Sequence, residues 1–379
     1  MTARALQADV FTTVHRRLSP NLTLYIGRLV LIWVIADFFL FVVVIFLIDL
    51  IEMLRRASAK PDATFHIALI MTGLRLPFLA QETVPFAVLF GSMLAFWRLN
   101  RTSELVAIRA SGVSVWQFLA PAIGVALLFG ALKLTALNPL AAVTYAKFEQ
   151  LENRYLKGSV SLLAVSANGI WLRQADESGQ SVIYAQRVAA DRMLLSKVIV
   201  ILYDGLDHFA ARVDAESAQL QAGHWELIDA RVTRPDQPTE PRPTYQIKTE
   251  LTLDKIQESF ASPQTISFWE LPRFIKVMEA TGFSALSHRL HFESLMAEPL
   301  LLCAMVLIGA VFSLRHNRRS GVAVALAGGI FTGFLLYFLS DLVLALGQSS
   351  SIPVALAAWS PAGASTLLGL TALLHLEDG

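Results

Sequence analysis

Charge is scarce in this chain. Only 16% of its 379 residues are Asp, Glu, Lys or Arg, against roughly 25% for a soluble domain. The net charge is +1, so no broad basic face exists to release counterions from a nucleic-acid backbone, and a nucleic-acid partner is excluded. Cysteine is nearly absent. Cys303 stands alone in an apolar run, which rules out an internal disulfide and leaves the redox compartment open. No Gly-x-x-x-x-Gly-Lys-Ser/Thr loop occurs, so the chain lacks a phosphate cradle of its own. A His-Glu-x-x-His helix is missing too. His288, His291 and Glu293 come nearest to a metal cluster, but two histidines three apart beside one carboxylate are a weak ligand set. Ser111-Gly112 superficially matches a membrane serine protease, yet no histidine lies deep in another apolar run to serve as base. The expectation is a chain that is no enzyme and binds no metal or cofactor.

What is abundant is apolar sequence, 55% of the chain. A spanning helix needs about 20 such residues. Six stretches qualify: Leu29–Ile51, Phe78–Trp97, Val115–Leu137, Leu295–Leu314, Gly321–Leu346 and Val354–Leu374. Ser19-Pro20 ahead of the first reads as a cap residue followed by proline at the first helical position. The first stretch is too long for a signal-peptide core and no small-residue cleavage site follows it. Arg4, Arg16, Arg17 and Arg28 precede span one; Arg98, Arg101 and Arg109 follow span two; Arg315, Arg318 and Arg319 follow span four. The opposite short loops hold only Arg55, Arg56 and Lys60. By the positive-inside rule both termini are cytoplasmic and the polar insert between spans three and four, Pro139 to about Phe292, lies outside.

The insert begins as helix, with Tyr145, Phe148, Leu151 and Tyr155 at spacings of three and four, and this prolongs span three into water. The period then changes. Gly169–Arg173, Ser181–Val188, Lys197–Tyr203, His208–Val213, Ala218–Leu220, His224–Ile228 and Tyr245–Leu253 are short runs rich in β-branched and aromatic residues, parted by Asn168-Gly169, Ser178-Gly179, Asp204-Gly205 and Ala222-Gly223. Arg234–Pro243 reads as a proline-broken loop, and Ser267–Glu279 as an amphipathic helix returning to the membrane. The fold class is therefore a six-span (3+3) α-helical membrane protein with an inserted β-jelly-roll or sandwich domain. Its divisions are 1–137, a membrane half; 138–292, the β domain with flanking helices; and 293–379, the second membrane half.

Within the spans, Asp37 lies about 13 Å along the first helix from Arg28; pairing with another helix and facing a wet cavity both fit it. Lys133, near an outer end, is placed to snorkel. Gly329 and Gly333 form a Gly-x-x-x-Gly that permits close helix contact. Pro77 and Pro85 bracket Gln81-Glu82 and suggest that His66–Leu76, carrying Arg75, is a separate interfacial helix. Arg55, Arg56 and Lys60 at the outward mouth suit either interfacial anchoring or the phosphates of a lipid headgroup.

The loop Arg101-Thr-Ser-Glu-Leu-Val-Ala-Ile-Arg-Ala-Ser-Gly112, set in this 3 + β insert + 3 layout, resembles the LptF/LptG (YjgP/YjgQ) permeases of the lipopolysaccharide transport machinery. Tyr25-Ile-Gly-Arg28, Gly169–Leu172 with Val182–Val188, Pro299-Leu300 and Ser351-Ile-Pro353 are similar to the same family. The resemblance covers essentially the whole chain. It implies a permease subunit in the inner membrane of a Gram-negative cell, which extracts lipopolysaccharide and hands it to a periplasmic bridge. It also implies the partners: an LptB-type ATPase dimer that binds the ATP and Mg, an LptF-type permease, an LptC-type protein, and lipopolysaccharide itself. By the same resemblance Arg101, Ser103, Glu104, Leu105, Ile108, Arg109, Ala110, Ser111 and Gly112 belong to an ATPase-coupling helix, with Glu104 facing a cation on the ATPase. Arg55 and Arg56, with Lys60 nearby, match cations that face lipid phosphate, whereas Asp49 stands where the family has a lysine; a different headgroup, or pairing of Asp49 with Arg55 or Arg56, would accommodate it. Spans one and five would wall a lipid cavity. The other readings are an envelope scaffold that moves no lipid, a macrolide-exporter type, whose usual layout has one span before its insert, and an intramembrane protease.

Overall fold

The computed structural model describes residues 19–58, 64–157, 163–166, 169–176, 179–189, 194–204, 208–235, 237–249, 262–280, 284–314 and 322–378. Arg4, Arg16, Arg17, Lys60, Arg315, Arg318 and Arg319 fall outside these, as does the end of the strand expected to reach Leu253.

Before the β domain come α1 (Pro20–Ala57), α2 (Phe65–Arg101), the short α3 (Glu104–Ala110), α4 (Val115–Leu132) and α5 (Asn138–Glu152). After it come α6 (Leu271–Ala280), α7 (Leu286–Leu314), α8 (Val322–Gln348) and α9 (Val354–Asp378). Six helical segments are long and apolar enough to cross a membrane, three on either side of the β domain. The Ser19 hydroxyl accepts from the Leu22 N–H at 3.3 Å, with Pro20 in the first turn, so α1 starts where the sequence says.

One expectation about the helices needs correction. His66–Leu76 is not a separate helix. It is the first part of α2, which runs through Pro77 and Pro85 without a break. Proline removes a donor but does not force termination when neighbouring helices hold both arms in line. Span three continues beyond Leu137, as the spacing of Tyr145, Phe148, Leu151 and Tyr155 predicts. A π-helical turn, Lys133–Leu137, joins α4 to α5, and the combined helix Val115–Leu156 is 42 residues long. At 1.5 Å per residue that is about 63 Å, twice a bilayer's hydrocarbon core, so the helix projects as expected.

Glycines bring the helices together. A Cβ on Gly91 of α2 would sit 2.6 Å from the backbone of Val34 on α1. In α8, Cβ atoms on Gly329 and Gly333 would meet Met93 and Leu89 of α2, at 2.4 and 2.6 Å. The Gly-x-x-x-Gly is therefore a seat for α2, not a chance spacing.

The β domain is a seven-stranded antiparallel meander, β1-β2-β3-β4-β5-β6-β7, over Leu163–Ser166, Gly169–Asp176, Gly179–Ala189, Leu194–Asp204, His208–Gln221, His224–Thr233 and Glu240–Lys248. The sheet rolls over on itself. Gln174 of β2 donates to the Lys248 carbonyl at the end of β7 (2.9 Å) and accepts from Thr249 Oγ1 (2.6 Å), although β2 and β7 are not hydrogen-bonded neighbours. Ile170 and Leu172 thereby share a core with Trp225, Leu227 and Ile247. The two-walled β domain is thus made by curling one sheet, and every strand pairing among the described residues is sequential.

Two of the sequence runs, His208–Val213 and Ala218–Leu220, are one strand, β5; the polar residues between them lie on its outward positions. The proline-broken loop ends early, because β7 begins at Glu240 and contains Pro241 and Pro243. As an edge strand it can spare outward N–H donors. On α6, Leu271, Ile275 and Met278 are buried. Ile275 and Met278 join the β core while Leu271 packs with Leu295 of α7, fastening the sheet to the membrane bundle.

Candidate functional site

The loop after α2 folds as a short helix pinned at both ends by left-handed residues. Ser103 precedes α3 at φ 59° and Gly112 follows it at φ 83°. Gly112 adopts this at no steric cost, whereas Ser103 does not. Leu105 and Ile108 are buried in the main membrane core beside Leu99, Val115 and Leu119. They hold the helix to the bundle and cannot themselves meet a partner. The outward face is Val106, Ala107, Arg109 and Ala110, with Val106 51% exposed. Ser111 Oγ donates to the Ile108 carbonyl at 2.7 Å, an ordinary helix-end bond and not a nucleophile's arrangement. Arg101 lies over the Trp97 ring, 5.2 Å from its centroid.

Glu104 is held from inside the chain. Tyr25 Oη donates to its Oε2 at 2.7 Å and Thr102 Oγ1 to its Oε1 at 2.9 Å. Tyr25 begins the Tyr25–Arg28 stretch at the start of α1, so two stretches 79 residues apart meet at one carboxylate. Nothing in the sequence pairs them; their joint likeness to one family was the available signal. The bond ties any displacement of α3 to the foot of α1.

At the opposite end of α1 the cations are balanced. Glu52 accepts from Arg55 Nε and Nη2, both at 2.8 Å, and from Arg56 Nε at 2.7 Å. Arg56 also approaches Glu152 of α5 at 3.7 Å. Asp49 does not pair with Arg55 or Arg56. Its partner is Arg75 of α2 at 2.8 Å, a side chain that also lies over the Phe148 ring. The local count is three cations, Arg55, Arg56 and Arg75, against Asp49, Glu52 and Glu152. Glu52 was legible from its spacing of three and four residues before the arginines; Arg75 was not.

Lys133 does not snorkel. It is 4% exposed, in the π turn, and forms an ion pair with Glu298 of α7. The pair lines a cavity of about 130 Å³ together with Glu82, Tyr337 and Asp341. Glu298 lies 165 residues from its partner, beyond the reach of any periodicity argument. Asp37 is buried, and its Oδ2 has no hydrogen-bond partner among the described residues. His288 and Glu293 serve packing and pairing: the His288 ring is 5.0 Å from Phe274, and Glu293 accepts from Trp359 Nε1 at 2.9 Å.

The spans differ sharply in burial. Only 11% of the most apolar window of α1, and 11% of that of α8, is covered by the rest of the chain, against 61% for α2 and 56% for α7. No residue of α1 between Asp37 and Asp49 is buried. Two long apolar walls therefore face outward from the chain.

Helices that cross a membrane in two groups of three, a β domain set between the groups, and a small amphipathic helix seated against the bundle define a polytopic membrane permease. The family described as lipopolysaccharide export system permease LptF/LptG matches residues 24–375, and the chain belongs to that family. It is similar to the lipopolysaccharide export system permease protein LptG of Escherichia coli K12, 26% identical over 361 residues that cover 93% of this chain and 97% of that protein. The LptG protein of Haemophilus influenzae is 24% identical over 345 residues, covering 86% and 90% respectively.

Proposed function

We propose that this chain is one permease half of an ATP-driven lipopolysaccharide exporter in the inner membrane, acting in lipopolysaccharide transport as its family does. The observation that carries the proposal is the pair of uncovered apolar helices, α1 and α8. Both helices pack on α2 yet leave most of their apolar surface to lipid or to another chain. A second, LptF-type permease facing them would enclose a space in which acyl chains replace helix contacts.

An LptB-type ATPase dimer binds ATP and Mg in this scheme and meets the outward face of α3. Arg109 and the Glu104 carboxylate supply polar anchors there, and the buried Leu105 and Ile108 pass rigid-body motion into the bundle. The Tyr25–Glu104 bond carries that motion to α1, one wall of the cavity. At the far end, Arg55 is the cation freest to meet a lipid phosphate: its side chain is 74% exposed, and its only ion-pair partner among the described residues is Glu52. Exposed ion pairs are worth at most about 1 kcal/mol, so a phosphate can displace the carboxylate. Asp49 offers no repulsion while Arg75 neutralises it. Both termini lie in the cytoplasm, and the β domain stands in the periplasm, where an LptC-type protein receives the lipid. This chain contributes positioning and apolar surface, and the chemistry of hydrolysis belongs to its partners.

Native mass spectrometry of the chain purified from its own membrane tests the proposal. Two copies of an ATPase subunit, one related permease and an adduct of lipopolysaccharide mass are expected. The chain alone, or with envelope proteins and no ATPase after gentle extraction, would overturn it in favour of a scaffold.

A further inference from the structure

The register of the sheet is interrupted along one line. Between β3 and β4, Ala185 pairs with Val198 and Arg187 with Ser196, but Gln186 and Lys197 are not paired. Between β4 and β5 the ladder skips Lys197 and Glu216 in the same way. Between β5 and β6 it skips two pairs, Ala215 with Ala230 and Glu216 with Asp229, and between β6 and β7 it skips Asp229 and Pro243. The flanking pairs keep their register on both sides, so no residue has been inserted. Gln186, Lys197, Glu216, Asp229 and Pro243 form a straight crease across five strands. Lys197 (φ 52°) and Asp229 (φ 54°) on alternate strands adopt the left-handed backbone that lysine and aspartate pay to enter.

All five crease residues line a trough of about 1080 Å³. Its side chains come largely from the face turned away from the apolar core: Tyr184, Ile199, Asp214 and Arg231 alternate with the core residues Ala185, Val198, Val213 and Val232. Charge in the trough is balanced, with Lys197, Arg231 and Arg242 against Asp214, Glu216 and Asp229. That balance gives no net attraction for a polyanion, and the density of polar groups makes the trough a poor place for an acyl chain. It suits a neutral ligand rich in hydroxyls, which needs donors and acceptors interleaved. At one margin Trp171, 44% exposed, and Tyr184 form a cross-strand aromatic pair with ring centroids 4.7 Å apart. Such a surface accepts the C–H face of a sugar ring against its electron-rich faces.

We propose that this trough binds the oligosaccharide portion of the exported glycolipid, holding the sugar on the outside of the β domain. The inference rests on the export function above. Its volume lies at the upper end of small-molecule sites and admits several sugar rings. Tyr184 supplies the stacking surface, Glu216 and Asp229 accept from hydroxyls, and Lys197 and Arg231 donate to them.

Hydrogen exchange on the full-length chain in lipid nanodiscs tests this with three probes: complete lipopolysaccharide, the lipid-free oligosaccharide released from it, and the same lipid without its oligosaccharide. Amides of 184–199 and 214–231 should slow by about tenfold with the first two probes and not with the third. Tyr184→Ala should abolish the effect. Lys197→Gly keeps a backbone that glycine enters freely, and should fold while weakening the protection. Protection of α1 and α8 by complete lipopolysaccharide, with no change at the crease under either sugar-bearing probe, would overturn the trough and leave the export function standing. Full protection persisting in both variants would also overturn it. No protection anywhere with any probe would remove the export function itself.

Discussion

Helices α1 and α2 are both apolar enough to cross a membrane, yet the more apolar of the two, α1 at a mean hydropathy of 3.0 against 1.4, is the less covered. α2 is the centre of the bundle: α1, α7 and α8 each approach it through a glycine or small side chain, at Gly91, at Gly309 against Ser92, and at Gly329 and Gly333. α1 touches α2 near Val34 and, after Asp37, presents a long stretch with no buried residue until Asp49. In a bilayer, apolarity does not drive helices together, because lipid is as apolar as leucine. Close contact needs small residues at the crossing, and the remaining surface of a helix is left to lipid or a partner. The difference separates a structural centre from two apolar surfaces, which the proposed function assigns to a ligand and a partner.

Mutation can break that comparison. The largest effect is expected at the Lys133–Glu298 pair, which lies in the structural half. Removing one partner, as in Glu298→Leu, should cost about 3–5 kcal/mol by stranding a buried charge. The double variant Lys133→Met/Glu298→Leu should recover most of that loss in equilibrium unfolding in mixed micelles. A double variant no more stable than the single would show that the pair is not buried as a unit. Leu89→Ala in α2, at a fully buried position, should cost about 2–5 kcal/mol. Leu47→Ala in α1, 53% exposed, should change stability by less than about 0.5 kcal/mol. It should nonetheless slow lipopolysaccharide release from membrane vesicles, and equal stability losses at the two leucines would erase the distinction. An intermediate loss, between those at the two leucines, is expected for Tyr25→Phe. Removing its bond to Glu104 should cost about 0.5–1.5 kcal/mol, while nucleotide-driven release falls more than ATP hydrolysis does. Hydrolysis and release falling in step would place Tyr25 outside the coupling route.

Much of the architecture was legible because the bilayer imposes a length and water imposes a period. Six spans, the long helix leading out of the third, and α6 follow from counting apolar residues and their spacing. The strands were legible where β-branched residues alternate, and misread where that alternation falters, as in β5, and where prolines occupy an edge, as in β7. The candidate coupling helix was visible as a family-like loop, although its division into the inward Leu105 and Ile108 and an outward face is a matter of packing. The charged positions were the least legible. The spacing of Glu52 before Arg55 and Arg56 foretells the bonds that hold both, but nothing in the sequence brings Arg75 to Asp49.

The sequence by itself determined the membrane class, the order of spans and β domain, and the absence of a nucleotide loop, since these depend on composition and local spacing alone. Only the tertiary structure decided which helices stay uncovered, that Tyr25 meets Glu104 and Lys133 meets Glu298, and that five strands are creased along one line. Each of those is a coincidence in space of residues distant in sequence, set by how glycines let helices approach and how one sheet curls back upon itself. No local periodicity carries that information.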